Sequence, residues 1–145
     1  MIQADILQPL AVLAMWTMVM WVWMYATRIP AINKLPKPTE PGADQGWTGA
    51  MLEGLIPREI QWKAHNYNHL HEAPTVFYAV ALALAMVGAG DGMNATIAWA
   101  YVALRIVHSI FQATVNKVMP RFALFALSSL CLMALCLHLL IAVFH

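Results

Sequence analysis

Four runs of mostly apolar residues, at 6–26, 70–90, 95–115 and 122–144, dominate the chain and leave it few ways to fold. Each is about 20 residues long, or roughly 30 Å as a helix, which is the thickness of a bilayer's hydrocarbon core. Lipid offers no partner to backbone N–H and C=O groups, so such runs cross it as helices that bond internally. Composition agrees: 61% of the 145 residues are hydrophobic and 10% charged, against about 25% charged in soluble domains. The expected architecture is an all-α membrane protein, a single domain over 1–145 built as an antiparallel four-transmembrane-helix bundle. A net charge of +1 and the lack of a basic patch interleaved with aromatics argue against a nucleic-acid partner.

The first run has no basic leader and exceeds the roughly 7–15 residues of a signal h-region, so it reads as a span and not a cleaved signal. It ends in WVWMYATR, where Trp21, Trp23 and Tyr25 suit an interfacial belt and Arg28 a stop in water. The methionines of MWTMVMWVWM have no His or Cys among them and read as packing and lipid-facing groups. Cys131 and Cys136, five apart within the last run, fall on different helical faces and read as small apolar residues. Arg28, Lys34, Lys37, Arg58, Lys63, Lys117 and Arg121 all lie between runs one and two or between runs three and four. The positive-inside rule puts those loops in the cytoplasm and both termini outside. The proline-rich loop at 27–57 is expected to be irregular. The second helix should begin near Arg58, just after Pro57, and continue unbroken into the membrane. The short connections GDGMN and NKVMP should make the second, third and fourth spans antiparallel neighbours.

Ionisable residues inside a span face the bundle or a watery cavity, because hydrocarbon cannot solvate them. Here they are Glu72, Arg105, His108 and His138. Glu72 lies nine residues past Lys63 and His108 nine before Lys117, both about 13–14 Å along a helix. Arg105 is one turn deeper, with a stem able to reach back to the same level. His65, Asn68 or His69, Glu72 and Thr75 form one helical stripe, and Tyr101, Arg105, His108 and Gln112 form another. Three readings of these stripes stay open. One is a Glu72–Arg105 ion pair that fixes helix register. Another is a cytoplasm-facing pocket for a small charged ligand, and the third is a metal site of His65, His69 and Glu72. Small residues from Ala79 to Gly90 permit close helix approach, within one protomer or between protomers.

The segments AHNYNHLHEAPTVF, LRIVHSI and NKVMPRFALF, in that order on a four-span chain, resemble the MAPEG family. These are membrane-associated proteins in eicosanoid and glutathione metabolism, and this chain is most similar to their bacterial-type members. The resemblance covers roughly residues 63–135. It implies a homotrimer in a bacterial inner membrane, with glutathione bound between subunits at a site open to the cytoplasm. Carried over, Glu72 would hold the glutathione ammonium, and Arg105 and Arg121 would bind its carboxylates or sit by its sulfur as the catalytic cations. His108 would line the site. His69 stands where relatives often have an asparagine, a role that Asn68 could share. No metal is implied. The chain departs from catalytic relatives at Gln112, where they have tyrosine, and at Phe122 and Phe125, where they have serine or tyrosine. Two functions follow. One is transfer of glutathione to lipophilic electrophiles, or reduction of lipid hydroperoxides. The other is a non-catalytic, lipid-binding or scaffolding trimer.

Overall fold

The computed structural model describes residues 4–36 and 48–144 and, among these, contains helices and turns only. The helices are α1 (Leu7–Asn33), α2 (Arg58–His69), α3 (Ala73–Met86), α4 (Met93–Thr114) and α5 (Val118–Phe144). Of these, α1 and α5 are long and apolar enough to cross a membrane.

In α1 the buried residues are Pro9, Leu13, Thr17, Met20 and Met24, spaced three or four apart on one face. The opposite face is apolar too, with Met15, Met18, Val19 and Val22 exposed. Likewise α5 buries Ser128, Leu132 and Leu135 and exposes Leu130, Met133, Leu137 and Ile141. Helices apolar all round need an apolar surrounding on both sides, here the core within and lipid without. The methionines of α1 divide between these two environments, and both cysteines are free and half-buried.

Two loop expectations change. The first helix does not stop at the interface but runs through Pro30 to Asn33, so only part of the segment after Thr27 is irregular. Proline removes the donor to the carbonyl four residues back, Ala26, and a polar surrounding near the helix end can supply a substitute. Residues 37–47 lie outside the described residues. The second helix begins at Arg58 as expected, yet it is not continuous, since the chain turns at residues 70–72. Pro74 is the cause. It cannot donate to Leu70, and its ring would collide with that carbonyl if the helix continued, whereas it is tolerated in the first turn of a new helix. His71 and Glu72 accordingly make short-range bonds to Asn68 O and His69 O (2.9 and 3.3 Å).

The packing order also differs. In the bundle α1 lies against α3 and α4, α5 lies against the same two, and α2 rests on α1 and α4. Helices α3 and α4, consecutive in the chain, therefore sit diagonally and meet through long side chains. Phe77 stacks on Tyr101 with centroids 4.5 Å apart. The connection between them is pinned from outside: Ile6 N–H donates to Gly90 O (2.9 Å) and Asp5 N–H to Asp91 Oδ1 (2.7 Å). A Cβ on Gly90 would lie 2.7 Å from Ala4 Cβ and 2.9 Å from Ile6 Cγ2, so only glycine lets the start of α1 dock here.

Candidate functional site

The polar face of α4 is the centre of the site. Tyr101, Arg105, His108 and Gln112 are all buried, as the periodicity of the sequence requires. They end at the connection to α5, where Asn116 takes a left-handed φ of 51° and its N–H closes onto Phe111 O (2.8 Å). Asparagine tolerates that conformation, and its side chain then accepts a bond from Arg121 Nη1 at 2.6 Å. This turn brings α5 back beside α4 with Arg121, Phe122 and Phe125 facing His69 and His108. Together with Gln112 and Val118 they line a cleft of about 310 Å³.

Arg105 lies behind the cleft and is only 1% exposed. Its guanidinium packs over the rings of Tyr101 and Phe125, 5.4 and 5.2 Å from their centroids. Its one polar partner is His69 Nε2, at 3.3 Å from Nη1, while Nε and Nη2 have none among the described residues. The other nitrogen of His69, Nδ1, lies 2.7 Å from Glu72 Oε2. Arginine can only donate, so Nε2 must accept, and a neutral imidazole then carries its proton on Nδ1 and donates it to the carboxylate. His69 thus couples an outer anion to an inner cation. The Glu72 side chain is 66% exposed and does not touch Arg105, so the direct Glu72–Arg105 pair is replaced by this bridged arrangement. The break at residues 70–72 explains the change, because it turns Glu72 away from the axis that α2 would have continued.

Among the remaining candidates, His108 faces His69 with centroids 5.1 Å apart, and Phe125 caps both rings at 5.6 and 6.5 Å. Gln112 reaches the cleft, with Oε1 buried and without a partner among the described residues. Asn68 is exposed and does not line the cleft. His65 is not part of the stripe either: it turns to Glu53 Oε1 at 3.1 Å. With His65 and His69 committed to different carboxylates, a metal site of His65, His69 and Glu72 has no geometric basis, and no group of three metal-ligating side chains converges among the described residues.

Sequence reasoning passed over the node that fixes α2. Asn66 is fully buried and donates from Nδ2 to Ser109 Oγ (2.6 Å), which also accepts from Trp16 Nε1 (2.9 Å). This joins α1, α2 and α4 one turn below His69. The available signal was the helical spacing of Asn66 from His69 and of Ser109 from Arg105, both within a turn.

An exterior rich in apolar side chains and two helices long and apolar enough to cross a bilayer are features of a helical membrane protein. A model of the MAPEG family matches residues 6–141, nearly the whole chain, and the chain belongs to that family. No curated protein and no solved structure matches it.

Proposed function

We propose that this MAPEG protein binds glutathione at the cleft between α4 and α5, as a homotrimer whose neighbouring subunits complete the site. The observation that carries this reading is Arg105, a buried guanidinium whose Nε and Nη2 have no partner, and which has no carboxylate against it, among the described residues. Leaving a buried charge unpaired costs several kcal/mol, and a ligand carboxylate is a group able to relieve it by bidentate bonding. Glutathione supplies two carboxylates and one ammonium. Arg105 and Arg121 match the carboxylates, and the exposed Glu72 matches the ammonium. An anion this exposed inside a span calls for a partner other than lipid, which favours an adjacent subunit. The excess of Lys and Arg at this end supports a cytoplasm-facing cleft, with lipophilic substrate arriving from the bilayer.

In the catalytic form of the reading, Arg121 at the cleft wall stabilises the thiolate. The glutathione sulfur then forms a C–S bond as a leaving group departs from an electrophilic carbon. With a hydroperoxide it breaks the O–O bond instead, giving the alcohol and a glutathione sulfenic acid, which a second glutathione converts to the disulfide and water. The binding site holds the sulfur close to the membrane-dissolved partner. The lining of the cleft favours the second, non-catalytic reading for the same site. Phe122 and Phe125 stand at its wall, and no hydroxyl is among the lining residues.

Thermal unfolding of the purified protein with and without millimolar glutathione tests binding. Ligand at 100 times its dissociation constant adds about 2.7 kcal/mol, and an unshifted transition rejects the proposal. Turnover of a lipophilic electrophile that survives both Arg105→Ala and Glu72→Ala would reject the catalytic form alone.

A further inference from the structure

A second pair of cavities lies at the start of α2, away from the cleft. One, of about 270 Å³, carries the charged groups and is lined chiefly by Glu53, Arg58, Gln61, Trp62, His65 and Asn116. The other, of about 430 Å³, is mostly apolar; Ala26, Pro30, Ala31, Leu35, Leu55 and Ile60 make most of its wall, and Lys34 adds a cation to it. They share Ile56, so the turn at 53–56 is the ridge between them.

Their level is fixed by α1. Trp21, Trp23 and Tyr25 form its aromatic belt, with Trp21 against Tyr25 at 5.0 Å and the Lys63 ammonium over Trp23 at 5.3 Å. Tryptophan and tyrosine settle where hydrocarbon meets headgroups. The α1 residues lining the apolar cavity run from Ala26 to Ala31, about 5–12 Å beyond Trp23 along the helix, and Lys34 and Leu35 continue the wall just past its end. The pair therefore sits at headgroup depth, charged chamber beside apolar groove.

The charged chamber offers both signs. Arg58 is cationic, Glu53 anionic, and His65 Nε2 lies 3.1 Å from Glu53 Oε1. Gln61 lines the chamber although it is nine-tenths buried, and its amide nitrogen has no partner among the described residues. A cation alone would select any anionic lipid. An acid beside it selects a headgroup that carries its own N–H cation.

We propose that these cavities hold one zwitterionic phospholipid of the phosphoethanolamine class. Its phosphate sits at Arg58, its ammonium at Glu53, and one acyl chain lies over Ile56 in the apolar groove. A quaternary choline has no N–H to give Glu53, and a glycerol headgroup has no charge to give it. This site does not rest on the glutathione reading: it shares no lining residue with the cleft, and meets it only where Asn116 of its wall accepts from Arg121.

Native mass spectrometry of the detergent-purified protein tests it, after exchange into equal amounts of phosphatidylethanolamine, phosphatidylcholine and phosphatidylglycerol with matched acyl chains. The expected result is retention of phosphatidylethanolamine over the other two by roughly tenfold, the worth of one charge-assisted hydrogen bond. Glu53→Gln should abolish that preference, and Arg58→Gln should lower retention of all three. Glu53→Lys should turn the preference to phosphatidylglycerol. Elution volume and melting temperature establish that each variant is folded, and if Glu53→Lys is not, Glu53→Gln reads the same contact. Equal retention of the three lipids by the native chain overturns the proposal, as does a preference that Glu53→Gln leaves intact. Soluble glycerophosphoethanolamine that displaces no phosphatidylethanolamine fits a site needing the acyl groove; displacement by it at micromolar concentration overturns the lipid assignment.

Discussion

Where α3 turns into α4, polar groups close on one another. Gly90 O and Asp91 accept from the start of α1, Asn94 Nδ2 donates to Ala89 O (2.8 Å), and His138 of α5 lies 2.5 Å from Asn94 Oδ1. At the opposite end of the same helices the accounting is left open. Among the described residues, Arg105 keeps two nitrogens idle, and Gln112 and Asn66 each bury an oxygen without a partner. A buried polar group without a partner costs about 1–3 kcal/mol, so the chain tolerates at one end what it avoids at the other. The closed end holds four segments in register. The open end, built on α4 and the break before α3, keeps its bonding capacity for something that is not part of the protomer.

The largest expected effect separates the two ends directly. Arg105→Met keeps length and apolar bulk while removing the charge. On the ligand-site reading the unliganded protein melts at the same temperature or higher, because an uncompensated buried charge is gone. The glutathione-induced stabilisation, about 2.7 kcal/mol at a hundredfold excess over the dissociation constant, disappears. If Arg105 instead belonged to the framework, the unliganded protein would lose about 3–5 kcal/mol, and the comparison between the ends would break.

Gly90→Val should act in the reverse sense. The branched side chain meets Ala4 and Ile6 inside contact distance, which should cost about 1–3 kcal/mol by overpacking. The shift on adding glutathione should keep its size. Smaller again is the His138–Asn94 contact. His138→Ala and Asn94→Ala should each lower stability by about 1 kcal/mol, and the double variant should lose less than their sum because the residues share a bond. Additive losses would mean that the 2.5 Å contact does no joint service.

Much of this contrast was legible in the sequence, and the reasons for the rest are specific. The α4 stripe could be read because Tyr101, Arg105, His108 and Gln112 follow an uninterrupted helical period. The stripe on the second span could not, since it assumed one helix from Arg58 to Gly90. Pro74 was visible, but whether a proline kinks a helix or starts a new one depends on what packs around it. That single break sends Glu72 outward and leaves His69 as its link to Arg105. His65 finds Glu53 from a segment that carries no periodic signal. The diagonal placement of α3 and α4 is equally hidden, because loop length limits how far apart helices lie without choosing which pairs touch. At the closed end, Gly90 and Asn94 appear in the sequence as ordinary turn residues; only the docking of residues 4–6 gives them their roles.

Gln112 provides the finest test of the open end, since its substitution should scarcely register in the protein alone. Its carboxamide sits in the cleft with one atom buried and without a partner among the described residues, so Gln112→Met removes a desolvated polar group and fills the same volume. Stability without ligand should change by less than about 1 kcal/mol, with an increase expected, because matched apolar replacement of an unsatisfied polar group is close to neutral. With glutathione present, the stabilisation should fall by about 1 kcal/mol if the amide donates to the peptide or its sulfur. Melting curves of the two proteins, each with and without glutathione, read both numbers at once. A variant that binds glutathione as well as the native chain would remove Gln112 from the site and leave Arg105, Arg121 and Glu72 as its polar contacts. A variant that loses stability without ligand would show that the amide has a structural partner, and the open end would then be less open than its geometry implies.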